Sequence, residues 1–254
     1  MVDTDAIARG FLAAHDAGEP YVPPSATAAL TVDDANSVQS TFVALRCIND
    51  KLIGYKAAAN AAALQKALNL EGPITGALFA SGERPTGCTL QRAEYRNLLI
   101  ETEIGFRAAR RISARVNSLP ELRVATTTFA PMIELADPGF ARGKMTGTDL
   151  IAANSASAGF IRGAPVQVGT FDINAVRVTL QRAGETLHEA NSNELLGDQW
   201  QALLWLVNRV VELGYVIELG QLLMTGALGP AHPALPGAYV ATFSGMGEIA
   251  FRVT

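Results

Sequence analysis

Cysteine, histidine and lysine are scarce in this chain, and no uninterrupted apolar run reaches the length of a membrane span. Two cysteines, Cys47 and Cys88, without a CxxC pair, exclude a disulfide framework and a cysteine-rich zinc site; they read as two buried free thiols in a reducing cytosol. His15, His188 and His232 are too scattered for an HExxH-type motif and read as surface or locally bonded residues. The most apolar long segment, 199–224, is broken by Asn208, Arg209, Glu212 and Glu218, which argues against a transmembrane helix. The N-terminus carries acids where a secretion signal needs a basic region. A net charge of −4 recommends neither nucleic acid nor an anionic membrane as a partner. No GxGxxG joins a strand to a helix and no GxSxG elbow occurs. The stretch GFARGKM at 139–145 fails as a P-loop, because its glycines are too close and Met145 follows Lys144 where Ser or Thr is needed.

What is present is the composition of a folded protein: 49% hydrophobic and 17% charged over 254 residues. A soluble, cytoplasmic protein is expected. Residues 3–17 and 33–50 have helical apolar spacing, with Asp33 and Asp34 suited to a helix N-terminus. A loop, GEPYVPPS, separates them. Strand candidates follow at Lys51–Lys56, in GPITGALFAS, in LLIETEIGFRAARRI and in TTTFAPMIELAD, with a helix predicted over 59–69. The basic stretch 107–115 and NSLP read as a surface turn. VRVTLQR-AG-ETLHEA and YVATF-SGMG-EIAFRV read as hairpins. Between them Asp198 can cap the helix QWQALLWLVNRVVEL, which ends at Gly214. The sum is an α+β protein of one domain, 1–254, with a helical N-terminal region (1–50) and a β-rich core (51–254).

Glu101 and Glu103 stand two apart in an otherwise apolar strand, so both carboxylates leave the same face. Burying two like charges together is costly unless a cation neutralises them. Acid-x-acid pairs also occur by chance, and Asp3-x-Asp5 is another. Glu134, a lone acid within PMIELAD, strengthens the case. Three carboxylates with waters suit a hard octahedral cation such as Mg²⁺ or Mn²⁺. Lys56, one of only four lysines among 20 basic residues, ends the apolar strand LIGYK. It reads either as a snorkelling surface residue or as a group that stabilises an enolate or donates a proton near the metal.

The ordered set GYK, ITGALF, ETE, IEL, ANSASAGF and LLMTGALGP resembles the hydratase/decarboxylase branch of the fumarylacetoacetate hydrolase superfamily, and within it the 2-keto-4-pentenoate hydratases. The similarity runs from about residue 35 to the C-terminus. The resemblance implies a mixed β-sandwich roll, like the C-terminal domain of that superfamily, with helices outside and a homo-oligomeric assembly. It implies metal ligands at Glu101, Glu103 and Glu134, a catalytic lysine at Lys56, and substrate contacts at Asn60, Leu78, Ser81, Asn154 and Thr225. It further implies a small 2-oxo or 2-hydroxy acid as substrate and metal-dependent hydration as the activity. Decarboxylation or tautomerisation through the same metal enolate, or a non-catalytic paralogue that partners another enzyme, are the alternatives. The chain departs from the family pattern around these residues. Ala57, Ala58, Ala59 and Asn60 follow GYK, and Ser81 stands where an aspartate is usual. The arginine after the IEL motif is missing, Ala153 replaces an aspartate, and the later helix start matches only through Gly197.

Overall fold

The computed structural model describes residues 2–141 and 144–254; Met1, and Arg142 and Gly143 of the GFARGKM stretch, lie outside the described residues. Two helices open the chain, α1 (Thr4–Ala17) and α2 (Val32–Arg46). Asp3 accepts the Ala6 N–H at the start of α1, and Gly18 ends it in a left-handed conformation. Thr31 and Asp34 form a reciprocal capping box on α2. Four shorter or later helices are α3 (Ala62–Leu68), α4 (Leu119–Val124), α5 (Gly147–Ala152) and α6 (Gln199–Glu212).

Strands β1 (Leu52–Ala58), β2 (Ile74–Phe79), β3 (Glu83–Arg84), β5 (Leu99–Ala108), β6 (Thr126–Ala136), β7 (Ser157–Arg162), β8 (Val166–Gln167), β11 (Leu222–Met224) and β12 (His232–Pro233) build one mixed sheet. Its order is β2-β1-β11-β5-β6-β7-β3, with β12 also on β5 and β8 also on β6. The second sheet contains β4 (Thr89–Leu90), β9 (Arg177–Arg182), β10 (Glu185–Asn191), β13 (Gly237–Phe243) and β14 (Gly247–Val253), in the order β10-β9-β13-β14-β4. The fold is the α+β sandwich roll expected above.

Alternation along the long strands divides the core. Ile100, Ile104 and Phe106 of β5, with Phe129, Ile133 and Leu135 of β6, turn toward the second sheet. There they join Val178, Leu180, Tyr239, Phe251 and the apolar face of α6 in the main core. The opposite face carries Glu101 and Glu103 of β5, Glu134 and Met132 of β6, and a small cluster of Leu78, Phe160 and Met224. Helix α2 packs on β2 from the other side, Val43 meeting Ala77 and Phe79, which alternate with Leu78 along the strand. Buried Gln39 of α2 donates to the carbonyls of Thr75 on β2 and Ile151 on α5. Asp149 accepts both the backbone N–H and the hydroxyl of Ser25, which ties the loop before α2 to α5.

Two expectations are corrected. The NSLP segment begins a helix: Ser118 accepts the Glu121 N–H and Pro120 sits in the first turn, where no intrahelical donor is needed. The cysteines are free but not buried, Cys47 being exposed and Cys88 half-buried.

Candidate metal centre

The register of β5 on β6 places Glu101 directly opposite Glu134, with Glu103 opposite Met132. Each of Glu101, Glu103 and Glu134 offers a carboxylate oxygen, and these oxygens lie within 4.8 Å of one another. Glu103 and Glu134 have no solvent exposure. Glu101 is partly accessible and lines a cavity.

Lys56 comes from β1, which is three strand spacings from β6 in the sheet order. In a flat sheet that is about 14 Å, yet Lys56 Nζ lies 2.8 Å from Glu134 Oε1. The sheet therefore curls, bringing β1 round to face β6. The lysine has a free path because Gly76 is its partner on β2. A Cβ at Gly76 would stand 3.1 Å from Lys56 Cε and 2.7 Å from the Asn154 carbonyl.

Donors are missing around the carboxylates. Gly226 gives its N–H to Glu103 Oε2 at 3.0 Å, but Glu103 Oε1 and Glu134 Oε2 are buried without a hydrogen bond, and Glu134 Oε1 has only the Lys56 ammonium beside it, at 2.8 Å. Buried acceptors in native proteins are nearly always satisfied. With all three carboxylates ionised, the one ammonium would leave two negative charges uncompensated. Burial, then the charge of Glu134, pushes the Glu101 carboxyl up to about 7. Burial, then Glu134 and Glu101, pushes Glu103 well above the usual carboxylate range. Burial pulls Lys56 down, but the charges of Glu134, Glu101 and Glu103 outweigh it and hold the ammonium form. A divalent cation fits this donor set on both counts, satisfying the orphaned oxygens and balancing the charge.

The other predicted residues divide. Asn60 sits beside the triad, donating to the Thr225 carbonyl, and its Oδ1 is buried without a partner. Thr225 is buried and gives its hydroxyl to Gln199 Oε1. Gly226 has φ +108, and a Cβ there would stand 1.6 Å from Asn60 Nδ2, so this turn requires glycine. Leu78 lies in the apolar cluster on the same face. Asn154 brackets Ala77, accepting its N–H and donating to its carbonyl, and so fixes β2. Ser81 is at the far end of β2, bonded to Asp50 within an Arg46–Asp50 pair; the structure does not bring it to the triad. Gly76, Gly226 and Gln199 were not singled out from sequence. Of these, the glycines inside ITGALF and MTGALGP carried a signal, and Gln199 did not.

A cavity of about 570 Å³ opens from Lys56 and Glu101, walled by α3, Pro23, Leu99, Phe140, Met145 and Leu150. Behind the triad, Thr102 points the other way and gives its hydroxyl to the Leu228 carbonyl while meeting His188 Nε2 at 3.1 Å. His188 stacks on His232, with Nδ1 and Nε2 2.9 Å apart. These two histidines, distant in sequence, form a local pair.

No protein-family model matches the chain. It is 32% identical over 218 residues to a 2-keto-4-pentenoate hydratase of Paraburkholderia phymatum, covering 85% of this chain and 83% of that one. A 4-oxalocrotonate decarboxylase of Pseudomonas sp. is 26% identical over 228 residues, covering 89% and 88%. Among solved structures, 4-oxalocrotonate decarboxylase from Pseudomonas putida G7, complexed with magnesium and adipate, superposes with a TM-score of 0.92 at 22% identity, over 99% of this chain and 97% of that one. Fumarylpyruvate hydrolase from Pseudomonas aeruginosa, with Mn²⁺ and pyruvate, gives 0.58 at 15% identity over 79% and 88%. The chain belongs to the 2-keto-4-pentenoate hydratase family of hydro-lyases.

Proposed function

We propose that this enzyme is a metal-dependent hydratase that adds water to a small 2-hydroxy-dienoate to give a 4-hydroxy-2-oxo acid. The observation that carries the reading is the cluster of the Glu101, Glu103 and Glu134 carboxylates beside Lys56, with Glu103 and Glu134 buried and short of donors and with Glu101 and Lys56 lining a cavity. The name shared by several relatives supports it. Those three glutamates would hold Mg²⁺ or Mn²⁺, which as a Lewis acid favours the enolate form of a 2-oxo acid.

The chain's own residues have separable tasks. Lys56, an ammonium fixed by Glu134, is an acid and a counter-charge: it can hold negative charge that builds on a substrate oxygen and give a proton to carbon. The Gly226 N–H and the Asn60–Thr225 hydrogen bond hold Glu103 and its turn in place. Asn60 Oδ1, a buried acceptor without a partner, can orient a water molecule. Ser81 takes no part. Leu78 and Asn154 act by setting the position of β2. The same reading takes the chain as one catalytic unit in a cytoplasmic homo-oligomer, with a small acid as its partner and no nucleic acid or membrane.

The test is to follow dienol absorbance when Mg²⁺-loaded protein meets fresh 2-hydroxypenta-2,4-dienoate, with product identification by NMR. Formation of 4-hydroxy-2-oxopentanoate, abolished by chelator and by Glu103→Gln, supports hydration. Ketonisation without water addition, or turnover only of a 2-oxo-enedioate, overturns it in favour of a tautomerase or a decarboxylase.

A further inference from the structure

The cavity beside the triad is larger and more apolar than a five-carbon acid requires. Its volume of about 570 Å³ falls in the range of ~300–1,000 Å³ that accommodates drug-sized ligands. Lys56 and Glu101 form its polar end. From there the wall is Ala58, Ala59, Leu99, Ala136, Pro138, Phe140, Met145 and Leu150, and the side chains of Leu64 and Leu68 on α3 complete it. Leu64 is 46% exposed and Ala141 and Lys144 are also exposed, so these residues mark the open end.

The polar groups along this wall are already engaged. Ser155 gives its hydroxyl to the Thr75 carbonyl at 2.7 Å, and Asn97 gives its amide to the Phe140 carbonyl at 2.9 Å. Lys56 is held by Glu134. The remaining cation among the described lining residues is Lys144, whose charge stands in solvent at the mouth, where pairing with an anion is worth little. A carboxylate at the far end of a substrate would lose its hydration against leucine, alanine and proline with little compensation. A hydrocarbon tail gains there instead.

We propose that the substrate is a 2-hydroxy-dienoate bearing an apolar alkyl or aryl substituent at the end remote from its carboxylate, and that this substituent occupies the cavity between α3 and Phe140. The proposal rests on the hydratase reading for the polar end of the substrate; the tail is assigned by the wall alone.

Binding is measured separately from turnover, by calorimetry of saturated 2-oxo acids that lack a double bond to hydrate. The probes are 2-oxopentanoate, 2-oxohexanoate, 2-oxooctanoate, 4-phenyl-2-oxobutanoate and 2-oxoadipate, titrated into Mg²⁺-loaded protein. The expected result is a Kd that falls about fourfold per added methylene over the first few, with 2-oxoadipate no tighter than 2-oxopentanoate. Leu64→Gln and Leu68→Gln should each shrink the ratio of the 2-oxopentanoate Kd to that of 2-oxooctanoate. A Kd independent of tail length, an unchanged ratio in both variants, or tighter binding of 2-oxoadipate than of 2-oxohexanoate would overturn the proposal, the last making Lys144 a carboxylate partner. Tail-dependent binding without hydration of any dienoate would leave the proposal standing and sink the hydratase reading. Efficient hydration of the five-carbon dienoate with no tail dependence would do the reverse.

Discussion

Lys56 and Glu134 share a buried contact, so each depends on the other. Lys56→Met leaves buried Glu134 without its counter-charge. Breaking such a pair costs about 3–5 kcal/mol. The metal-free variant should show that loss in thermal denaturation, and saturating Mg²⁺ should recover part of it. Activity should fall by roughly 10²–10⁴, the usual contribution of a positioned acid. An identical loss with and without Mg²⁺ would separate Glu134 from the cation. His188 supplies a second prediction at this scale. Burial, then the positive charge of His232, lowers its pKa from 6.5 to about 4. The unfolded chain therefore binds a proton that the fold refuses between those values. The stability His188 contributes is present above pH 6.5 and is lost as pH falls toward 4. The difference in melting temperature between wild type and His188→Gln, followed from pH 7 to 4.5, isolates this effect. A constant difference would show that the pair is not held neutral.

Among the secondary-structure elements, the pairing of β1 with β11 decides whether Lys56 reaches the site. Gly54 lies opposite Leu222 in that parallel ladder, and a Cβ at Gly54 would stand 2.1 Å from the Leu222 carbonyl oxygen. Because the obstacle is backbone, no side chain can give way. Gly54→Ala should cost upward of about 3 kcal/mol, read by urea denaturation, and should weaken Mg²⁺ binding by displacing β1. Gly10 is the contrast. It lies within α1 and a Cβ there meets nothing within 4 Å. Gly10→Ala should stabilise by about 0.5–1 kcal/mol through helix propensity, with no change in metal affinity. A destabilised Gly10→Ala protein would mean that this face of α1 is covered in solution.

For the molecule as a whole, folding gathers acids that metal-free protein tolerates only by keeping protons on them. Glu101 has its pKa raised to about 7 and Glu103 is shifted in the same direction. The native state holds protons that the unfolded chain has released, so this contribution to metal-free stability falls as pH rises from about 4.5 through 7. A bound cation displaces those protons, so its affinity rises over the same window. The increase in melting temperature on adding Mg²⁺ should accordingly be larger at pH 7.5 than at pH 5.5. A pH-independent increase would place the cation elsewhere. Among the described residues no helix is long and apolar enough to cross a membrane.

Much of the architecture was legible in local pattern. Alternation marked β5 and β6, the AG and SGMG turns marked the two hairpins, and Asp198 and Gly214 bounded α6, because each signal depends only on neighbours along the chain. The Glu101–Glu103 pair was legible for the same reason: a strand puts i and i+2 on one face. Position 120 misled, since a proline that suits a turn equally suits the first turn of a helix. The exposure of Cys47 was also hidden, as thiols are usually buried and only packing says otherwise. Sequence alone determined which residues carry charge, which strands present them, and to which family the pattern is similar. Tertiary structure decided that the sheet curls far enough for Lys56 to meet Glu134, that Ser81 turns to Asp50, that His188 finds His232, and that α3 and Phe140 wall one cavity. Those outcomes depend on contacts between segments tens to more than a hundred residues apart, which no local periodicity encodes.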